Sequence, residues 1–273
     1  MWGDIVANAS ISGLRPHSQS LIMSGDSMEF GEYKLGVQIM HKINEDQKRQ
    51  VILRELQYDL REMGFEFGVT LDRNNSHLDT AISSYVDALS ADSTHLMVLE
   101  DDVCLHSQFA IITQMAISAR PKNILSFFGI SKKLETAYRD HETNWVEAKT
   151  CSWNQCYVIP ATKIGKIIDF SNEYAINDHA FDCILSVWCL LNNERIFILT
   201  PTPLEHTGFE RSMLGHSAKI GKIQRTSGFL AKTMDQYHHL DKKPFKLSGL
   251  KLKDYNKYVD LERIKEDYPN ARI

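Results

Sequence analysis

The sequence predicts an α/β fold with a mostly parallel central sheet, helices on both faces and a small antiparallel extension, and three observations carry that expectation. Apolar runs of strand length alternate with amphipathic stretches of helix length, at the spacing of about thirty residues that strand-helix-strand units require. The run 94–99 (Thr-His-Leu-Met-Val-Leu) is apolar at nearly every position after His95, the pattern of a central parallel strand covered on both faces. It ends in three adjacent carboxylates, Glu100-Asp101-Asp102, at the strand end beyond which open α/β sheets bind their ligands.

Taken in order, residues 1–34 are Ser/Gly-rich and weakly periodic, and read as a loop or short hairpin. A first core strand is predicted over 35–40. The helix after it opens on Asn44, with Gln47 as a capping-box-like partner and Glu45 and Asp46 in the first turn. Its apolar stripe is Leu53, Leu56, Leu60 and Met63, and Gly64 stands just past its end. A second strand, 65–71, runs into Asp72-Arg73-Asn74-Asn75. Leu78, Ala81, Ile82, Tyr85, Val86 and Leu89 then fall on one helix face, and the acidic strand comes third. Right-handed crossovers make the three strands parallel, which gathers His41-Lys42, Asp72-Arg73-Asn74-Asn75 and Glu100-Asp101-Asp102 along one rim and suggests a nucleotide pocket there.

Further on, the sequence predicts a helix over 109–118 and a strand over 124–128 ended by Gly129. Strands over 145–149 and 156–159 form the mixed or antiparallel extension. Helices over 161–170 and 178–191 and a late strand over 196–199 complete the pattern. Residues 35–215 read as one catalytic domain and 216–273 as a basic extension. In that extension Lys219, Lys222, Arg225, Lys232, Lys242, Lys243, Lys246, Lys251, Lys253 and Lys257 meet few acids. Such a stretch is either a solvated face or a surface for a phosphate-rich acceptor.

Composition narrows the class. At 273 residues, 43% hydrophobic and 24% charged, the chain can bury a substantial core, and a net charge of −4 gives no global reason for a polyanion partner. Five cysteines without a Cys-x-x-Cys pair suggest neither a disulfide scaffold nor a zinc knuckle. The amino terminus lacks a basic start with an apolar stretch, and the greasiest window, 183–191, is too short to span a bilayer. A cytoplasmic protein is expected. The absence of Gly-x-Gly-x-x-Gly and of a Gly-Lys-Ser/Thr phosphate loop argues against a dinucleotide fold and a P-loop NTPase.

Three carboxylates this close raise one another's pKa unless a cation neutralises them, so the acidic strand end calls for a divalent metal, although a solvated acidic turn has the same composition. Leu99-Glu100-Asp101-Asp102-Val103, followed by Phe109, resembles the Asp-x-Asp motif of GT-A fold nucleotide-sugar glycosyltransferases. The resemblance is to the lipooligosaccharide and collagen galactosyltransferase family and to fringe-like enzymes. Two weaker similarities accompany it, in Trp153-Asn154-Gln155-Cys156-Tyr157-Val158-Ile159-Pro160 and in Pro203-Leu204-Glu205-His206-Thr207-Gly208, and Asp182-Cys183-Ile184-Leu185 is similar to a family segment with an acid at a helix start. The likeness covers about 35–215 in order, and only the acidic motif is individually specific.

The resemblance implies transfer of a sugar from a nucleotide donor, expected to be UDP-linked, to a hydroxyl acceptor. Chemistry points the same way, because a diphosphate leaving group carries charge that Mn²⁺ or Mg²⁺ neutralises as a Lewis acid. Asp102 is the expected direct ligand, and Glu100 is expected to contact ribose, or the metal through water, with Asp101 between them. His206 is the expected distal ligand, with His216 as the fallback; an imidazole favours Mn²⁺. Asp72 and Arg73 are candidates for uridine or diphosphate contact, with helix capping the alternative for Asp72. Inverting displacement needs a base to deprotonate the acceptor. Asp182 leads for that role and Asp178 is second, although Asp178 also suits a helix N-cap. Trp153 and Phe128 either floor a sugar or base or belong to the core. The acceptor is either a hydroxymethylated base in DNA, reachable or flipped out, or a lipid-linked or surface glycan. Two other classes remain open: a metal-dependent nuclease or phosphohydrolase built on the same acids, and a non-catalytic sugar-nucleotide or nucleic-acid binding module.

Overall fold

A computed structural model describes residues 29–30, 32–42, 47–73, 75–89, 92–150, 155–176, 181–207, 219–220, 223–224, 227–248 and 251–270. The chain is α/β. Its strands are β1 (Glu29–Phe30), β2 (Tyr33–Lys42), β3 (Gly68–Asp72), β4 (His95–Glu100), β5 (Val103–Leu105), β6 (Ile124–Ser126), β7 (Trp145–Ala148), β8 (Cys156–Pro160), β9 (Ile196–Leu199), β10 (Leu204–His206), β11 (Lys219–Ile220), β12 (Ile223–Gln224) and β13 (Phe245–Leu247). Its helices are α1 (Gln47–Glu62), α2 (His77–Ala88), α3 (Phe109–Ala119), α4 (Lys133–His141), α5 (Ala161–Tyr174), α6 (Phe181–Leu191) and α7 (Leu261–Asp267).

One mixed sheet of nine strands is ordered β1-β2-β4-β8-β6-β9-β7-β13, with β3 also paired to β2. The expected parallel unit is present: β2 runs parallel to β3 and to β4, with Lys42 opposite Asp72 and Met40 opposite Glu100. All three carboxyl ends therefore reach one rim. Strand β8, expected in a peripheral extension, instead lies mid-sheet, antiparallel to both β4 and β6. Two small antiparallel pairs lie outside this sheet, β5–β10 and β11–β12.

Helices cover both faces, and each face has its own core. Leu35, Val37 and Ile39 of β2 and Met97 and Leu99 of β4 pack with Leu53, Leu56 and Leu60 of α1 and with Phe109, Ile112 and Ala116 of α3. On the other face Met40, Leu96 and Val98 pack with Ala81 and Tyr85 of α2, Ile164 and Ile167 of α5, and Phe181 and Ile184 of α6.

The end of α1 sets where β3 begins, and the start of α2 closes the rim loop that follows β3. Past α1, Gly64 adopts φ 81°, its N–H donates to the Arg61 carbonyl at 2.9 Å, and the Phe65 N–H donates to the Leu60 carbonyl at 2.9 Å. This is the paired C-terminal bonding that a left-handed glycine permits. Phe65 is thereby buried against the helix end, and β3 starts three residues later than expected. Asn44 lies outside the described residues. Ser76 caps α2 by accepting the Asp79 N–H at 3.1 Å. Val86 and Leu89, expected on its buried face, are about half exposed, so the apolar stripe is narrower than the sequence implied.

Residues expected as a basic extension contribute to the same body. Strand β13 adds parallel to β7, and Tyr237, Leu252, Tyr255, Val259 and Ile264 are buried. No described helix is long and apolar enough to cross a membrane.

Candidate active site

Successive side chains of a strand point to opposite faces, and this alternation sorts the three acids. Met97 and Leu99 face α1 and α3, so Asp101 continues toward α1. Leu96 and Val98 face α2 and α6, so Glu100 continues toward those helices. Asp101 is fully buried. Its Oδ1 accepts from Arg49 Nε at 2.8 Å and Nη2 at 2.5 Å, and its Oδ2 lies 2.5 Å from His41 Nδ1 and accepts the Lys42 N–H at 3.3 Å. Asp101, expected near the nucleotide, thus has both oxygens engaged by protein groups and no exposed surface for a ligand.

Asp102 differs. Arg49 Nη2 donates to its Oδ2 at 3.1 Å, whereas its buried Oδ1 has no hydrogen-bond partner. The antiparallel pairing of β5 with β10 sets His206 opposite Val103, and the Thr207 N–H donates to the Asp102 carbonyl at 2.9 Å. His206 Nε2 consequently lies 3.4 Å from Asp102 Oδ2. Burial by itself would lower the His206 pKa, but the hydrogen bond to Asp102 and the charges of Asp102 and Glu100 hold it above the usual histidine range. Burial likewise opposes ionisation of Asp102, and His206 and Arg49 outweigh it, keeping the carboxyl below its ordinary value.

A buried carboxylate oxygen without a partner, on a side chain whose other oxygen faces an imidazole, suits a small divalent cation that takes one or two protein ligands and completes its shell from phosphates and water. Among the described residues no group of three or more His, Cys, Asp or Glu side chains is arranged to hold a metal; Asp102 and His206 are two donors at this rim. The residues fit such an ion as a two-ligand site.

Glu100 opens onto a separate small cleft of about 20 Å³, walled by Tyr85, Tyr157 and Phe181 and also lined by His77, Gln155 and Asp182. His77 Nε2 lies 3.3 Å from Glu100 Oε1. Burial works against a charge on His77, yet Glu100, Asp182 and Asp72 hold its pKa above the ordinary value. His77 Nδ1 and Gln155 Oε1 are buried without hydrogen-bond partners, so the cleft has two polar atoms available to a guest. Asp182 sits in the first turn of α6, its Oδ1 accepting the Cys183 N–H at 2.9 Å. Two acids separated by more than eighty positions thus share one cleft.

Other candidates have quieter positions. Asp72 is buried, and its Oδ1 accepts the Ser76 N–H at 3.0 Å, which closes the turn into α2; Arg73 beside it is exposed. Phe128 is fully buried in the core, which excludes it as the floor of a sugar site. Asp178, Trp153 and His216 lie outside the described residues. The sequence reading missed Arg49 and His77. Arg49 had a signal: it continues the stripe Leu53, Leu56, Leu60 one turn toward the helix start, where a charged residue facing the core requires a buried partner. His77 carried none, since its partner is fixed by how α2 packs on β4.

Cys104 is exposed and Cys183 is buried, neither in a disulfide. Lys232, Lys242, Lys243 and Lys246 are exposed, and the first three precede β13, which runs opposite to β4 and so begins at the acidic rim. Compared with known proteins, the chain matches no family model and no curated sequence.

Proposed function

We propose that the chain is a metal-dependent glycosyltransferase of GT-A type that moves a sugar from a UDP-linked donor to a hydroxyl acceptor. One observation carries the reading: at the rim where three parallel strands end, buried Asp102 keeps Oδ1 without a hydrogen-bond partner while its other oxygen, Oδ2, is engaged by Arg49 and lies 3.4 Å from His206 Nε2. Mn²⁺ or Mg²⁺, when bound, would supply Lewis-acid neutralisation of the departing diphosphate. Asp102 and His206 would hold that ion, and Glu100 and Asp182 line the neighbouring cleft. Asp182 is suited to accept the proton of the acceptor hydroxyl as the new glycosidic bond forms.

The engagement of Asp101 by Arg49 and His41 favours this reading over a nuclease, because two-metal hydrolysis requires more available carboxylates than the rim retains. For the acceptor, the exposed lysines before and within β13 favour a phosphate-bearing molecule over a neutral glycan, and DNA with a hydroxymethylated base has the required hydroxyl. A binding module without turnover would retain donor affinity and show no chemistry.

The test is a donor-consumption and transfer assay with Mn²⁺ over UDP-, GDP- and CMP-sugars, comparing the parent with Asp102→Asn. The proposal expects UDP-sugar turnover in the parent and its loss in the variant. Absence of sugar-nucleotide binding and consumption with either metal contradicts it.

A further inference from the structure

We propose that Arg49 is the positioning residue of the rim, presenting Oδ1 of Asp102 to a divalent cation. The inference rests on the reading above, that Asp102 and His206 hold the ion.

The geometry is a clamp with one open jaw. Arg49 is almost fully buried, its side chain 4% exposed, and it comes from α1 rather than from the acidic strand. Its fork contacts Asp101 Oδ1 through both Nε and Nη2, and Nη2 extends to Asp102 Oδ2. A planar guanidinium fixes such contacts in direction as well as distance. Asp101 is held from its other side by His41 and the Lys42 N–H, so the guanidinium is anchored by a carboxylate that cannot itself turn. Rotation of the Asp102 carboxylate is thereby resisted through one oxygen, leaving Oδ1 as the oxygen without a partner.

The charge arrangement agrees. Arg49 sets one positive charge between two adjacent buried carboxylates without occupying Oδ1, and the oxygen that a cation needs is already oriented. Side chains that orient a metal ligand typically contribute about 10–100-fold in metal affinity.

The experiment measures Mn²⁺ affinity by the paramagnetic resonance of free Mn²⁺ in the presence of UDP, for the parent, Asp102→Asn, Arg49→Lys and the double variant Arg49→Met with Asp101→Asn. Circular dichroism and thermal unfolding report the fold. Arg49→Lys keeps the charge but loses the fork. The double variant removes the buried ion pair, a change that proteins often tolerate without loss of stability. The expected result is that the folded Arg49 variants bind Mn²⁺ about 10–100-fold more weakly, as Asp102→Asn does. Parent-like affinity in a folded Arg49 variant, with affinity lost in Asp102→Asn, overturns the role of Arg49 and leaves the site reading standing. Unchanged affinity in Asp102→Asn overturns both. Loss of the fold in both Arg49 variants also overturns the proposal, because it assigns Arg49 to support of the core alone.

Discussion

Asp101 and Asp102 are neighbours of the same chemical type, and their surroundings give them different work. Every oxygen of Asp101 meets a protein group, whereas Asp102 retains one oxygen without a partner. The acids themselves were legible in the sequence as an anomaly after an apolar run. Their division of labour was not, because it depends on Arg49 of α1 and on a histidine more than a hundred positions away in the chain. Under the proposed function, Asp182 in the adjoining cleft takes the acceptor's proton. Asp182→Asn is therefore expected to lower kcat by about 10²–10⁴-fold while leaving the KM for the donor near the parent value. Steady-state kinetics with varied donor checks this, and a change confined to KM would assign Asp182 to binding instead.

At the scale of elements, local periodicity explains what sequence reasoning could see. Strand β4 and helices α1 and α2 announce themselves by apolar spacing and by Gly64, and each lies near its expected position. Gly64 at φ 81° should be costly to replace: Gly64→Ala is expected to destabilise the fold by about 1–2 kcal/mol, seen as a lower urea midpoint with an unchanged slope. Elements defined by distant pairing were hidden. Strands β5 and β10 have three residues each and pair across about a hundred positions, and α4 and β13 are short and rich in charge. At the start of β4, burial lowers the pKa of His95 more than its bond to the Pro121 carbonyl raises it. A depressed folded-state pKa means that this residue's contribution is complete above the ordinary histidine value of about 6.5 and is lost as pH falls below it through the lowered pKa. Urea unfolding between pH 5 and 7 should show that decline in the parent and a flatter profile in His95→Gln.

For the molecule as a whole, the parallel unit brings β2, β3 and β4 to a common rim, and the later reversed strands β8, β7 and β13 begin at that edge of the sheet. The carboxyl-terminal part joins the sheet through the edge strand β13 and exposes Lys242, Lys243 and Lys246 there. Its basic composition was legible; its incorporation into the sheet was not, since Phe245-Lys246-Leu247 is too short to register as a strand. If this face meets nucleic-acid phosphates, log affinity for duplex or single-stranded DNA falls steeply with log salt, and Lys242→Glu with Lys243→Glu reduces the slope by about one per lysine. A flat salt response in the parent rejects the face as an electrostatic DNA surface.

The account depends above all on a cation held between the unpaired oxygen of Asp102 and the His206 imidazole. Anomalous diffraction from a crystal soaked with Mn²⁺ and UDP tests it most directly. The account predicts a manganese peak at bonding distance from Asp102 Oδ1 and His206 Nε2, with diphosphate oxygens completing the shell; manganese and nucleotide bound elsewhere, with this rim empty, would contradict it.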